Sequence, residues 1–168
     1  HLQTARLSKR CGTWQRWLNL SMDKAMRSPM KIRVFEPADE AEVIALWKST
    51  GLTVPRNDPA KDIARKMAHS PKQFLIGLID QKVVATVMYG YGGHRGSVNY
   101  LAVSPQCQGH RLARTLMSQV QAQLTAQGCP KLNLMVRQSN PQAADFYKRI
   151  GYVEESVVVM GKRFIRDA

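Results

Sequence analysis

The chain has 168 residues, with 25 Lys or Arg against 12 Asp or Glu, which gives a formal net charge of +13. This length suits a single hydrophobic core and makes more than two domains hard to accommodate. No apolar run comes near the roughly 20 residues that a membrane-spanning helix needs, so we expect no such helix.

Residues 1–29 differ in composition from the rest, with six Lys or Arg and a single acid, Asp23. Three interpretations stay open. The segment is translated sequence upstream of a natural start at Met30, an Arg-rich targeting peptide, or a basic amphipathic arm. In the last case one stripe of the arm carries the apolar residues Leu7, Trp14, Leu18 and Met22. We take residues 1–29 as a basic N-terminal extension that is either not native or disordered, and residues 30–168 as the folded domain.

From Met30 onward, strand and helix patterns alternate along the chain. Strands are predicted at 31–35, 73–79, 82–91, 98–103, 131–136, 153–160 and 163–165, and helices at 38–48, 60–69, 109–127 and 141–150. Asp80 and Gln81 join two of the strands as a hairpin turn. Asn140 and Pro141 suit the N-cap and first position of the last helix. This order predicts an α/β fold in which helices pack against one mixed sheet.

The most informative stretch runs from Val98 to Leu116, where a strand passes through a short loop directly into a long helix. A helix that starts in a tight, Gly-containing turn points several unpaired backbone N–H groups at one place. Such a place suits a phosphate group. The stretch therefore predicts a phosphate-bearing ligand held at the end of a strand.

Two motifs in this order resemble the GNAT family of N-acetyltransferases. Gln108 to Ala113 is similar to the family's coenzyme-phosphate pattern Gln/Arg-x-x-Gly-x-Gly/Ala, with Arg111 in place of the central Gly. Asn140 to Tyr152 resembles the family's segment Asn-(x6)-Tyr-x-x-x-Gly-Phe/Tyr. The resemblance extends from Met30 to about Arg166 and is strongest to bacterial YpeA-type members. It implies the GNAT fold, with a central mixed, mostly antiparallel sheet flanked by helices.

The resemblance also implies a reaction, in which an amine attacks the acetyl thioester of acetyl-CoA directly. It assigns Tyr147 as the general acid and as a coenzyme contact, because a phenol is a ready proton donor at neutral pH. The Arg111 side chain can donate to a phosphate where the family has Gly. The other residues that the resemblance assigns to coenzyme binding are Leu101, Ala102, Val103, Gln108, Gly109, His110, Leu112, Ala113, Arg114 and Asn140.

No general base is evident from the sequence. Met135 stands where ribosomal-protein-type members of the family carry a Glu, which argues against the ribosomal N-terminal alanine as substrate. Asp58, His94, Tyr100 or a water chain remain as candidates.

The resemblance places the acceptor pocket between the first helices and the sheet, over residues 52–64. There Asp58 and Asp62 suit a cationic amine, and Arg56 suits a substrate carboxylate. The identity of the amine, whether a small molecule or a protein, cannot be read from these residues.

Composition bounds the remaining possibilities. Three dispersed cysteines, at Cys11, Cys107 and Cys129, fit free thiols and a cytoplasmic location. The four histidines show no zinc-ligand spacing, so we expect no metal site.

Two further classes of function stay open. A catalytically silent acyl-CoA-binding regulatory module is the alternative to an enzyme. A nucleic-acid-binding protein is less favoured, because the basic residues are spread along the chain rather than clustered on one face. The resemblance also makes a homodimer plausible.

Overall fold

The computed structural model describes residues 28–167, and these residues surround one five-stranded sheet. Its strands, in spatial as well as chain order, are β1 (Lys31–Val34), β2 (Phe74–Ile79), β3 (Lys82–Tyr91), β4 (Gly96–Val103) and β5 (Leu132–Leu134). The α-helices are α1 (Glu40–Ser49), α2 (Pro59–His69), α3 (Leu112–Ala126) and α4 (Pro141–Arg149). Short 3₁₀ turns cover Pro37–Asp39, Pro71–Gln73 and Pro105–Cys107.

The sheet is mixed and mostly antiparallel, as the sequence predicts. Strands β1 to β4 pair antiparallel in turn, and β5 joins β4 in parallel. The turn between β2 and β3 has φ values of 49° at Asp80 and 62° at Gln81. Positive φ at both central residues is the signature of the type I′ turn, whose twist matches that of the two strands.

Both faces of the sheet are covered, and each face has its own core. All six residues of β2 are buried, because neighbouring side chains of a strand point to opposite faces. Phe74 and Trp47 belong to the core under α1 and α2, while Leu75 and Leu116 belong to the core under α3. The two cores thus pack on opposite faces of the same sheet.

The structure corrects one predicted helix boundary and two predicted strands. Helix α3 begins at Leu112 rather than at residue 109, because Gly109 and Arg111 have left-handed φ values of 83° and 62° that a helix does not allow. The strands predicted at 153–160 and 163–165 are absent, since no regular secondary structure follows Arg149 in the part of the chain that the structure describes.

Side chains rather than backbone pairing hold the segment after Tyr152. Glu154 pairs with Lys148, and Glu155 pairs with Lys131. Val158 is 89% exposed. A run of β-branched residues favours a strand only where a neighbouring strand supplies hydrogen-bond partners, and three-residue β5 supplies none here.

The N-terminal extension that the sequence predicts lies outside the described residues, apart from Ser28 and Pro29. No helix within residues 28–167 is both long enough and apolar enough to cross a membrane.

A carboxylate–guanidinium pair ties β1 to the approach to α1. Arg33 donates to both carboxylate oxygens of Asp39, at 2.7 and 2.8 Å, and the Glu36 N–H donates to one of them at 2.8 Å. The hydrogen bond from Arg33 lowers the pKa of Asp39 below its usual value, against the opposing effect of burial. Only 10% of the Asp39 side chain is exposed, so this pair is better shielded than a surface ion pair.

We expect Asp39→Asn to lower the free energy of unfolding by about 2 kcal/mol at pH 7, because a charged hydrogen-bond acceptor is lost. The difference from wild type is full above about pH 4 and disappears as the pH falls through the lower pKa of the folded state. Urea unfolding between pH 7 and pH 3 measures it. Glu36→Gln is the control, since the Glu36 side chain is 67% exposed and lies 4.0 Å from Arg33. A difference that stays constant with pH would contradict the assignment.

Candidate active site

The sheet opens between β4 and β5. Strand β5 pairs only with Gly96, Ser97 and Val98 at the start of β4. From Asn99 to Val103, that edge of β4 has no paired strand within residues 28–167. The backbone of Leu101, Ala102 and Val103 therefore lies on an open edge, where a ligand can take the place of a strand.

A β-bulge marks the start of this opening. Tyr100 and Leu101 lie together opposite Val87, and the pairing register of β4 with β3 shifts there. Tyr100 has φ of 52°, a left-handed conformation that is uncommon for a bulky residue. An extra residue on one strand bends that strand and increases its twist.

Two buried side chains of neighbouring elements support the strained residue. The Trp47 indole N–H donates to the Thr86 hydroxyl at 2.9 Å, and that hydroxyl donates to the Tyr100 carbonyl at 2.9 Å. The rings of Trp47 and Tyr100 also stack, with centroids 4.0 Å apart. Strained backbone persists only where its surroundings hold it, and these contacts do so.

The loop after β4 leads into α3 through two left-handed residues. Gly109 has φ of 83°, and Arg111, the N-cap of the helix, has φ of 62°. Arg111 thus adopts the backbone conformation that glycine favours, at the position where the family pattern has glycine. No side chain caps this helix, so the first-turn N–H groups of Leu112, Ala113 and Arg114 face outward from an exposed loop.

A cavity of about 520 Å³ lies against this loop. Its walls comprise Gly109 to Leu112 and Thr115 on one side, with Ile79 and residues 28–30 on the other. The Gln108 side chain donates to the Val103 carbonyl at 3.3 Å, which ties the loop to the open end of β4. This cavity therefore brings together four of the predicted phosphate contacts, Gly109, His110, Arg111 and Leu112.

The other predicted coenzyme contacts lie outside that cavity. The side chains of Leu101 and Val103 pack on the core beneath α3, and Ala102 belongs to the opposite core. Their side chains are thus structural, and only their backbone is available to a ligand. Asn140 is exposed and caps α4, accepting a hydrogen bond from the Ala143 N–H at 3.1 Å.

Tyr147 lies on α4 within a small aromatic group. Its ring centroid is 5.1 Å from that of Phe146 and 5.5 Å from that of Tyr152, both in edge-on arrangements. Gly151, with φ of 98°, ends the helix and turns the chain back, so that the Tyr152 N–H reaches the Tyr147 carbonyl at 3.0 Å. The Tyr-x-x-x-Gly-Tyr pattern therefore corresponds to a helix end at which the rings of Tyr147 and Tyr152 pack together.

The environment of Tyr147 keeps its phenol protonated. Burial, with a smaller contribution from Tyr152, raises the pKa of Tyr147 to about 12. Tyr147 packs on the same core as Leu101 and Val103, which places it on the α3 side of the sheet. A neutral phenol at this place can hold and donate a proton.

Two of the predicted base candidates are not placed to accept a proton at the opening of the sheet. Asp58 caps α2, accepting hydrogen bonds from the N–H groups of Ala60 at 2.9 Å and Lys61 at 3.3 Å. His94 is exposed in the turn that precedes β4. Since a strand rises about 3.3 Å per residue, His94 lies on the order of 20 Å from Ala102.

The third candidate, Tyr100, is paired with a carboxylate. Its hydroxyl donates to Asp62 at 2.6 Å. Burial, followed by this hydrogen bond, raises the pKa of Tyr100 well above its usual value, so Tyr100 is a poor proton acceptor. The pair joins the bulge of β4 to the first turns of α2.

Sequence reasoning singled out Asp62 and Tyr100 separately and missed their contact. The two residues are 38 positions apart, and no sequence signal links them. The contact brings the predicted acceptor region, residues 52–64, directly beside the open end of β4.

Comparisons with known proteins agree with this architecture. Residues 41–152 match the Acetyltransferase (GNAT) family. An acetyltransferase of Yersinia enterocolitica, YE1169, is 44% identical over 138 residues, covering 82% of this chain and 98% of the relative. An acetyltransferase of Sodalis glossinidius, SG1711, is 45% identical over 139 residues, with the same coverage.

Solved structures support the fold at lower identity. The structure of AAC(6')-Iy in complex with a bisubstrate analogue has a TM-score of 0.65 and 19% identity, covering 82% of this chain and all of that one. A predicted acetyltransferase of Clostridium acetobutylicum with acetyl-CoA has a TM-score of 0.64 and 13% identity, covering 80% and 96%. With its mixed sheet, its opening between β4 and β5 and these relatives, the chain belongs to the GNAT family of acetyltransferases.

Proposed function

We propose that this protein transfers the acetyl group of acetyl-CoA to an amine by direct attack. The observation that carries the proposal is the combination of an open β4 edge with an uncapped helix N-terminus at its end. The first offers backbone donors and acceptors to an extended ligand, and the second offers N–H groups to phosphate. The resemblance of the loop and of the Asn140–Tyr152 segment to the family motifs supports the same ligand.

The residues present fit an acyl-coenzyme A. Gly109 to Arg114 supply N–H groups and two guanidinium groups for the phosphates, and the cavity of about 520 Å³ beside them gives room for a bulky group. The backbone of Leu101, Ala102 and Val103 would bind the extended arm and orient the acetyl carbonyl. The side-chain amide of Asn140 would contact the same arm, because the helix cap uses only its oxygen. When bound, the coenzyme supplies an activated acetyl thioester.

Tyr147 is the proposed general acid. Its hydroxyl would hold the proton that the leaving thiolate sulfur takes up as the new amide bond forms. We propose that a water molecule, rather than a side chain, accepts the proton that the amine loses. Asp58 serves as a helix cap, His94 lies far from the opening and Tyr100 holds its proton, which together support this choice.

Three further assignments start from the resemblance. We propose that the protein is of the YpeA type within the family, that it acts in the cytoplasm, and that two copies associate. The exposed apolar side chains of Val157, Val158 and Met160 support association, since monomeric proteins rarely expose contiguous apolar groups.

The proposal predicts that acetyl-CoA stabilises the protein. Ligand at about 100 times its dissociation constant adds about 2.7 kcal/mol to the free energy of unfolding, which raises Tm by several degrees. A thermal melt with and without acetyl-CoA measures the effect, with adenosine as the control ligand that lacks phosphate. No stabilisation at millimolar acetyl-CoA would refute the proposal. Stabilisation without acetylation of any amine would favour the silent acyl-CoA-binding module instead.

Arg111 combines a glycine-like backbone with a cationic side chain, and substitution separates the two. We expect Arg111→Gly and Arg111→Asn to weaken acetyl-CoA binding about tenfold, because a charge-assisted hydrogen bond to phosphate is lost. Both replacements tolerate a left-handed φ, so Tm without ligand should not fall. Calorimetric titration measures the affinity. Unchanged affinity in both variants would show that the Arg111 side chain does not contact the coenzyme.

Tyr147→Phe should lower kcat by more than about tenfold while the Kd of acetyl-CoA changes less than about twofold, since the ring remains and only the proton donor is lost. The assay uses the best acceptor from a panel of amines and quantifies acetylated product by chromatography. Tyr152→Phe is the matched control, because it removes a neighbouring phenol from the same aromatic group. Equal turnover of wild type and Tyr147→Phe would remove Tyr147 from the acid role.

A further inference from the structure

A carboxylate of the chain itself occupies a site beside the proposed acceptor region. The Arg65 guanidinium pairs with both carboxylate oxygens of Asp167, one at 3.1 Å and the other closer. The Asp58 N–H donates to the same carboxylate at 3.4 Å, and the Lys61 ammonium donates to the Asp167 carbonyl at 2.7 Å. Only 5% of the Asp167 side chain is exposed. These residues form a place that binds a carboxylate on several sides, and we call it the Arg65 site.

The Arg65 site connects directly to the opening of the sheet. The guanidinium that holds Asp167 also donates to Asp62 at 3.0 Å, and the other oxygen of Asp62 accepts from the Tyr100 hydroxyl. Going outward from the β4 bulge, the groups are therefore a phenol, a carboxylate, a guanidinium and a second carboxylate. Because one guanidinium bridges both carboxylates, the negative group beside Tyr100 and the cation beyond it are only a few ångströms apart.

Apart from these polar contacts, the segment that carries Asp167 has few anchors. Asp167 lies in the segment after Tyr152, which has no regular secondary structure, and its neighbours Phe164 and Ile165 are 87% and 67% exposed. Arg163 anchors the same segment only through long hydrogen bonds, at 3.3 Å to the Arg56 carbonyl and 3.2 Å to Asn57. A segment with so few buried apolar contacts opens at low cost. A cavity of about 310 Å³ lies between it and α2, which is room for a small molecule.

We propose that the acceptor is a small amine that carries a carboxylate, and that this carboxylate replaces Asp167 on Arg65. The ammonium end of such a molecule then lies beside Asp62, next to the bulge from which the acetyl group would be presented. Asp167 acts as an internal competitor that the substrate displaces. This inference rests on the proposed function and adds the chemical class of the acceptor to it.

Matched pairs of amines test the inference in the full chain. β-Alanine is compared with ethylamine and γ-aminobutyrate with propylamine, so that each pair differs by one carboxylate. Two readouts are taken, the thermal shift that each amine adds in the presence of acetyl-CoA and kcat/KM for acetylation. The variants are Asp167→Asn, which removes the competing charge, and Arg65→Gln, which removes the site. Arg166→Gln is the control for Arg65→Gln, because it also removes one positive charge, but from the exposed position next to Asp167.

The expected result is a preference of tenfold or more for the carboxylated member of each pair in wild type and in Arg166→Gln. Asp167→Asn should lower KM for the carboxylated amines severalfold and leave KM for ethylamine and propylamine unchanged. Arg65→Gln should abolish the preference.

Two results would overturn the inference while the proposed function stands. One is acetylation of both members of each pair with equal kcat/KM. The other is stabilisation of Asp167→Asn by acetyl-CoA with no added shift from any carboxylated amine. Failure of acetyl-CoA itself to stabilise the protein would instead overturn the proposed function.

Discussion

The left-handed backbone of Tyr100 is the constraint on which the site depends. This conformation costs about 1–2 kcal/mol in a residue with a side chain, and the buried Trp47–Thr86 hydrogen bonds hold it in place. Two consequences follow from the same distortion. The bulge turns β4 away from the line of β5 and leaves its edge open, and it directs the Tyr100 side chain toward α2, where it meets Asp62. The coenzyme side and the acceptor side of the proposed site thus share one origin.

The strain at Tyr100 is tolerated because the neighbouring strands are buried. Strand β2 is buried on both faces, and β3 is buried through most of its length. The bulge of β4 therefore pairs with a strand that is packed on both sides. Outside the Asp80-Gln81 turn, the loop before α3 adds another left-handed non-glycine residue, Arg111, beyond the far end of β4. Both strained residues flank the open edge of β4, which is where strained backbone is expected to collect if the edge binds ligand.

Local patterns predicted the elements whose ends are fixed by neighbouring residues. Asn140, which is followed by proline, is an N-cap as expected, and Asp80-Gln81 forms the hairpin turn. The features that could not be predicted from the sequence are those that depend on contacts between residues distant in the chain. The contact of Tyr100 with Asp62 needs the fold to bring it about. The valine-rich run after Tyr152 has the composition of a strand, yet composition does not provide the neighbouring edge that a strand requires. The family motifs singled out the loop before α3 but did not reveal that Arg111 adopts a backbone conformation that glycine favours.

Ser28, Pro29 and Met30 line part of the cavity beside the start of α3, which has a consequence for the residues before them. Whatever precedes Ser28 is covalently tethered to the mouth of that cavity, and in this chain it carries six Lys or Arg. Tethering fixes the local concentration of those charges, whatever conformation the segment adopts. Cations held near an anion-binding mouth accelerate the capture of polyphosphates in a manner that salt suppresses. Under the proposed function, the charge of the N-terminal segment would raise the association rate of the coenzyme.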